Sequence, residues 1–157
     1  MNKGIYGFFG EYRFLSNFYA CDILYEGIKY PSVEHAYQAA KTTSTRIRKR
    51  IAKIELAGAA KAFGQHMQII ANWEEKKLNV MNLLVLTKFT CYKELREKIM
   101  NTGNLHLEET NTWGDKYWGI FEGNGKNHLG EILMKVREYL IRMEKYGKKE
   151  DVVKWEL

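Results

Sequence analysis

The chain has 157 residues, 45% apolar and 28% charged, with 25 lysines and arginines against 19 acids and a formal charge of +6. That length suffices to bury about two-thirds of the unfolded surface, and with no run of 18 apolar residues a membrane span is not expected. The opening MNKGIYGFFGEYRF lacks the apolar run and cleavage site of a signal peptide. Cys21 and Cys91 form neither a CxxC pair nor a disulfide framework, so a reduced, cytoplasmic protein is expected.

In chain order, residues 3 to 30 read as small β-structure with loops. FLSNFY at 14–19 sets aromatics around a Ser-Asn pair and reads as an ordered loop. CDILYEGIKY at 21–30 reads as a short hairpin turning at Glu26-Gly27. After Pro31 the chain turns helical, with Ser32 as N-cap and helix formers from Val33 to Lys41. A basic helix is predicted at about 46–56, then GAAKAFGQ, whose small residues allow close packing. From Trp73 to Phe89, Leu78, Met81, Val85 and Phe89 recur at spacings of three and four, which predicts a long helix with a core stripe. KELREKIMNTG predicts another, ended by Gly103. After a β-like or irregular stretch near 105–121, the last helix follows Asn127, with Leu129, Leu133, Val136, Leu140 and Met143 as its apolar stripe. The sum is a mainly α, compact, orthogonally packed multi-helix domain with a small N-terminal β-hairpin element. It is read as one domain over 1–157 with a basic tail from 144.

Two stretches carry candidate chemistry. In YPSVEHAYQAAK (30–41), Glu34 falls in the first helical turn, where the dipole favours a negative charge. Tyr37, Gln38 and Lys41 follow at i+3, i+4 and i+7 and share its side. This polar strip is either an exposed face or, given the alanines at 36, 39 and 40, the lining of a cavity on a buried helix. In NTWGDKYWGIFEGNGKNHLG (111–130), Trp113, Tyr117, Trp118 and Phe121 offer flat surfaces for a ring, with Asp115 among them. The run Gly123-Asn124-Gly125-Lys126-Asn127 enters the last helix. It is either an ordinary tight turn or a loop bringing N–H groups onto a phosphate, with Lys126 adding charge. It is neither a Walker nor a Rossmann motif. His35, His66, His106 and His128 are scattered and read as structural, so no metal site is expected. The run RIRKR (46–50) is either a solvated face or an attraction for phosphorylated ligands or nucleic acid.

Together these stretches resemble the YbiA/NADAR family. The resemblance rests on FLSNFY, YPSVEHAYQAAK, AKAFGQ at 60–65, Trp73, Met81 and LTKF at 86–89. It continues through LREKIMNTGNLHLEE at 95–109 and DKYWGIFEGNGKNHLGEILMKVRE at 115–138, spanning about residues 7 to 140 in order. It implies a mainly α, metal-independent N-glycoside hydrolase without a cofactor. The partner implied is a phosphorylated ribosyl-base small molecule of the riboflavin pathway, or nucleic acid carrying ADP-ribosylated guanine. Glu34 matches the motif glutamate, implying electrostatic stabilisation of an oxocarbenium-like sugar, activation of water, or nucleophilic attack. The motif lysine, Lys41, would hold ribose or phosphate or form a Schiff base. Asp115 would serve ribose hydroxyls or protonate the leaving base. Trp118 would stack on the base, Asn17 would orient the sugar, and Gly125, Lys126 and Asn127 would hold phosphate; Tyr37 and Gln38 complete the substrate strip. The chain departs from the family at Gly64-Gln65, where Gly-Arg is frequent, leaving Lys61 as a nearby cation. The competing expectations are a non-catalytic ADP-ribose or nucleotide-binding module and, with only the charge behind it, a plain nucleic-acid-binding protein.

Overall fold

The structure, a computed structural model, describes residues 3–147. It runs β1 (Gly4–Tyr6), a 3-10 turn (Gly10–Leu15), β2 (Ile23–Tyr25), β3 (Ile28–Tyr30), α1 (Val33–Ala40), α2 (Thr45–Ile51), α3 (Ala57–Gln65) and α4 (Trp73–Cys91). There follow α5 (Lys93–Asn101), β4 (His106–Glu108), β5 (Thr110–Asn111), β6 (Ile120–Phe121), β7 (Asn124–Gly125) and α6 (His128–Tyr146). The fold is mainly α, as expected. The described residues form two compact units, one of residues 8–91 and one of residues 3–7 with 92–147.

In the unit of residues 8–91, the hairpin closes where expected. Glu26 and Gly27 both take positive φ, 45° and 77°, the two-residue turn whose twist matches antiparallel strands. It pairs Ile23 with Tyr30 and Tyr25 with Ile28, burying Ile23 and Tyr30 completely. At the start of α1 two of the N–H groups that lack a helical partner are taken by the loop and the cap, and the first helical bond follows. Asn17 O accepts from Glu34, Ser32 Oγ from His35 and Ser32 O from Ala36. His35 Nε2 lies 3.0 Å from the Ile54 carbonyl, which can only accept, so Nε2 carries the proton and Nδ1 takes the Ser32 hydroxyl at 2.7 Å. Burial pushes the His35 imidazole below its ordinary pKa, consistent with this neutral, structural role.

The basic helix is shorter than predicted. It ends at Ile51, where Lys53 and Ile54 turn back to Arg50 O and Ile51 O, placing the Ile54 carbonyl against His35. On α4 the buried set is Trp73, Met81, Leu84, Val85, Lys88 and Phe89. Leu78, expected in the core, is 37% exposed, because the buried face runs through Leu84 and Lys88 and leaves Leu78 at its rim.

In the other unit β1 pairs with β4 in parallel, and β5, β6 and β7 make a three-stranded sheet. α5 ends at Asn101, and Gly103 beyond its cap has a φ of +58° that suits glycine. Arg137 of α6, buried, donates to Thr102 Oγ1 at 2.8 Å and Leu105 O at 2.9 Å, tying the end of α5 to the segment entering β4. Leu129, Leu133, Val136 and Leu140 form the core stripe of α6.

Candidate functional site

All eight residues of α1 are buried, which decides between the two readings of its polar strip in favour of the buried helix. Glu34 is 6% exposed and Gln38 is 2% exposed. Gln38 Nε2 donates to Glu34 Oε1 at 2.6 Å, one helical turn apart. The other end of that amide, Gln38 Oε1, is buried, has no hydrogen-bond partner among the described residues and rests against Gly64 of α3. A Cβ at Gly64 would stand 1.9 Å from Oε1, so only glycine lets the amide sit where it meets Glu34.

The strip continues with Tyr37, whose ring lies 5.1 Å from that of Trp73, and Lys41, whose Nζ lies 5.2 Å from the Tyr37 ring centre. Burial pushes the Lys41 amine below its usual range; the Glu34 carboxylate opposes that shift and Lys61 adds to it. Lys61 sits one turn before Gln65 on α3, its Nζ 5.9 Å from the Phe18 ring. Asn17 joins the strip through its carbonyl on the Glu34 N–H at 3.0 Å, while its Nδ2 reaches Met81 Sδ at 3.3 Å. Asn17, Glu34, Tyr37, Gln38 and Lys41 thus belong to one cluster within residues 8–91.

One member of this neighbourhood is missing from the expected set. Lys88 is 1% exposed, and its Nζ donates to Ser16 O at 2.9 Å, with the Tyr19 and Phe89 rings each 5.2 Å away. Burial pushes its pKa down to about 8, with Cys21 opposing the shift and Arg13 adding to it. The signal in the sequence was a lysine at a core position of the α4 stripe.

The other predicted residues lie in the second unit and build its 111–128 loop. Asp115 Oδ1 accepts from the Tyr117 and Trp118 N–H groups at 2.9 and 2.8 Å. Asn111, buried and unforeseen, braces the loop by accepting from Asp115 N at 2.9 Å and donating to Asp115 O at 2.7 Å. Asp115 therefore shapes the turn that carries Trp118. Trp118 packs edge-on to Tyr117 at 4.9 Å, and Tyr117 lies 4.6 Å from the His128 ring.

For the phosphate-cradle reading of Gly125-Lys126-Asn127, the backbone N–H groups from Lys126 onward are already engaged. The N–H groups of Lys126, Asn127, His128 and Leu129 all donate to carbonyls, those of Lys116, Gly119, Tyr117 and Trp118. They are spent inside the loop. Asn127 is buried, its Oδ1 accepting from Glu109 N at 3.0 Å and its Nδ2 donating to Leu107 O at 2.9 Å. Gly125 is required because a Cβ there would stand 2.1 Å from Gly119 O. Glu122 and Gly123, both at positive φ, make the tight turn between β6 and β7, and Gly125-Lys126-Asn127 carries the chain from β7 into α6. Lys126 remains exposed, with Nζ 5.6 Å from the Tyr117 ring.

The basic run is partly structural. Arg48 donates to Thr42 O at 2.7 Å and Ala39 O at 3.3 Å, and pairs with Glu26 at the hairpin turn. Arg46, Lys49 and Arg50 are exposed, with the Arg50 guanidinium 4.9 Å from the Phe63 ring. Among the described residues, no three His, Cys, Asp or Glu side chains gather as a metal site would require, and no helix is long and apolar enough to cross a membrane.

The NADAR domain model matches residues 7–141. A riboflavin biosynthesis protein of Vibrio vulnificus (strain YJ016) is 36% identical over 133 residues, which cover 83% of this chain and 36% of that protein. N-glycosidase YbiA of Escherichia coli (strain K12) is 35% identical over 133 residues, covering 83% of this chain and 82% of YbiA. The NMR structure of the E. coli protein YbiA superposes with a TM-score of 0.81 at 33% identity, covering 97% of this chain and 93% of that one. The chain spans about a third of the Vibrio protein's length and most of YbiA's. With the domain matched over most of its length, this chain belongs to the NADAR family.

Proposed function

We propose that this protein is a metal-independent N-glycoside hydrolase that cleaves the bond between a phosphorylated ribose, or ADP-ribose, and a nitrogenous base. The observation that carries this reading is the buried Glu34 carboxylate, held at 2.6 Å by Gln38 in the first turn of α1. Breaking a C1–N bond builds oxocarbenium-like charge on the sugar, and a carboxylate fixed away from water stabilises it without reorganising. The same group can activate water or attack C1. The relatives named N-glycosidase support the reaction class. The Vibrio relative, named for riboflavin biosynthesis, supports a ribosylaminopyrimidine phosphate as substrate, with ADP-ribosylated guanine as the other candidate. Asn17, in the same unit as Glu34, is assigned to orienting the sugar. The test is calorimetry beside turnover. Wild type should bind and turn over, and Glu34→Gln should bind without turnover. Binding without turnover by wild type would leave a nucleotide-binding module.

Lys41 is assigned to a substrate phosphate or ribose hydroxyl as an ammonium group. Its depressed pKa favours a second reading, an amine that captures the opened sugar aldehyde. Borohydride added during turnover decides: the first reading predicts an unchanged intact mass, the second a stable sugar adduct lost in Lys41→Met.

A small-molecule substrate is favoured over nucleic acid, because Arg48 is spent in the fold. Neutralising Arg46, Lys49 and Arg50 together is expected to change kcat/KM by less than about threefold. An enzyme acting on ADP-ribosylated DNA or RNA would instead lose affinity steeply, with a shallower salt dependence.

A further inference from the structure

Two successive carbonyls of the loop ahead of the hairpin face opposite helices. Ser16 O accepts from Lys88 of α4 at 2.9 Å, and Asn17 O accepts from the Glu34 N–H of α1 at 3.0 Å. Asn17 is held again by its side chain, whose Nδ2 donates to Met81 Sδ on α4 at 3.3 Å. The Ser16-Asn17 step is therefore strapped to α4 on one side and sets the backbone of the candidate catalytic residue on the other. Lys88 lies among Met81, Leu84, Val85 and Phe89, all buried, where an apolar side chain would be cheaper to bury than a charge. What the amine supplies at that position is the bond to Ser16.

We propose that Lys88 is a positioning residue for Glu34, its amine fixing the Ser16-Asn17 step so that the Asn17 carbonyl holds the start of α1 and the Glu34 carboxylate in register with the sugar. The inference rests on the glycosidase reading of Glu34. The ionisable groups around the amine are Cys21, which favours the ammonium, and Arg13, which disfavours it; the Tyr19 and Phe89 rings close the rest. With burial setting its pKa to about 8, Lys88 exchanges its proton within the range where an enzyme can be assayed. As pH rises through that value the ammonium is lost, and the grip on Ser16 weakens.

The test uses the full chain and two readouts. In wild type without substrate, the backbone amide resonances of Asn17 and Glu34 should move together in an NMR pH titration with a midpoint near 8, and should stay flat there in Lys88→Met. In turnover, Lys88→Met should lose roughly 10–100-fold in kcat with KM within about twofold, because misplacement of a reacting group falls on the chemical step. A Lys88→Met enzyme with wild-type kcat, or Asn17 and Glu34 amides that ignore the titration, would overturn the proposal. If Lys88→Met does not fold, the wild-type titration alone decides. Glu34→Gln turning over normally would sink the glycosidase reading of Glu34, while the substrate-free titration would still report whether Lys88 reaches Glu34.

Discussion

Glu34→Gln is expected to slow base release by roughly 10²- to 10⁴-fold while leaving the fold and substrate binding intact. The two side chains are nearly isosteric, and the glutamine oxygen still accepts from Gln38 Nε2, so the contact now at 2.6 Å survives. What disappears is the negative charge and the capacity to take a proton or attack. Since the charge matters chiefly when the sugar becomes cationic, the loss should fall on kcat, with KM little changed. Glu34→Asp keeps the charge but withdraws it by one methylene from Gln38, so an intermediate loss is expected. Circular dichroism and a thermal melt check folding, and initial rates check the effect. Equal rates for wild type and Glu34→Gln would remove Glu34 from the chemistry.

Gly64→Ala should be the most damaging small substitution in α3. In a helix interior alanine is favoured over glycine by about 1 kcal/mol. Here the added Cβ would lie 1.9 Å from Gln38 Oε1, 2.7 Å from its Cδ and 3.2 Å from its Cγ. The whole amide must move, and at 2% exposure it has nowhere open to go. Overpacking of this kind costs about 1–3 kcal/mol, which outweighs the propensity gain. It also pulls Gln38 from Glu34, so a kcat loss of roughly 10–100-fold is expected alongside. Gly58→Ala on the same helix is the control. Its Cβ would meet nothing nearer than the Phe18 ring at 3.9 Å, and it should be neutral or stabilising by up to about 1 kcal/mol. Denaturant melts of both variants and their initial rates test the pair; a Gly64→Ala enzyme as stable and active as Gly58→Ala would contradict the packing account.

Local features were legible in the sequence, and features set by distant partners were not. Glu26-Gly27 announced the hairpin turn and Ser32 the start of α1, because both depend on backbone preferences a few residues long. Glu34, Gln38 and Lys41 could be placed on one side of a helix by counting, but the burial of Glu34 and Gln38 follows from α3 and α4, and only the Gly64 contact shows why Gln38 points at Glu34. The early end of α2 depends on the Ile54 carbonyl meeting His35, 19 residues earlier. In the Gly123–Asn127 run, composition suggested free N–H groups, yet the Lys116 and Gly119 carbonyls take those of Lys126 and Asn127 in a return of the chain that no spacing rule marks. Lys88 was hidden differently. A single lysine inside an apolar stripe reads as an imperfection until its partner, Ser16 O, is found 72 residues away.

Cleavage of a ribose–base bond is the activity proposed for the Glu34 site. The most direct measurement is chromatographic detection of free base after incubating wild type, with Glu34→Gln in parallel, against a ribosylaminopyrimidine phosphate and against ADP-ribosylated guanine DNA. Wild type is expected to release base from at least one substrate, the pyrimidine phosphate being favoured, and the variant to do so roughly 10²- to 10⁴-fold more slowly. Both substrates recovered intact from wild type, or equal release by the two proteins, would contradict the proposal.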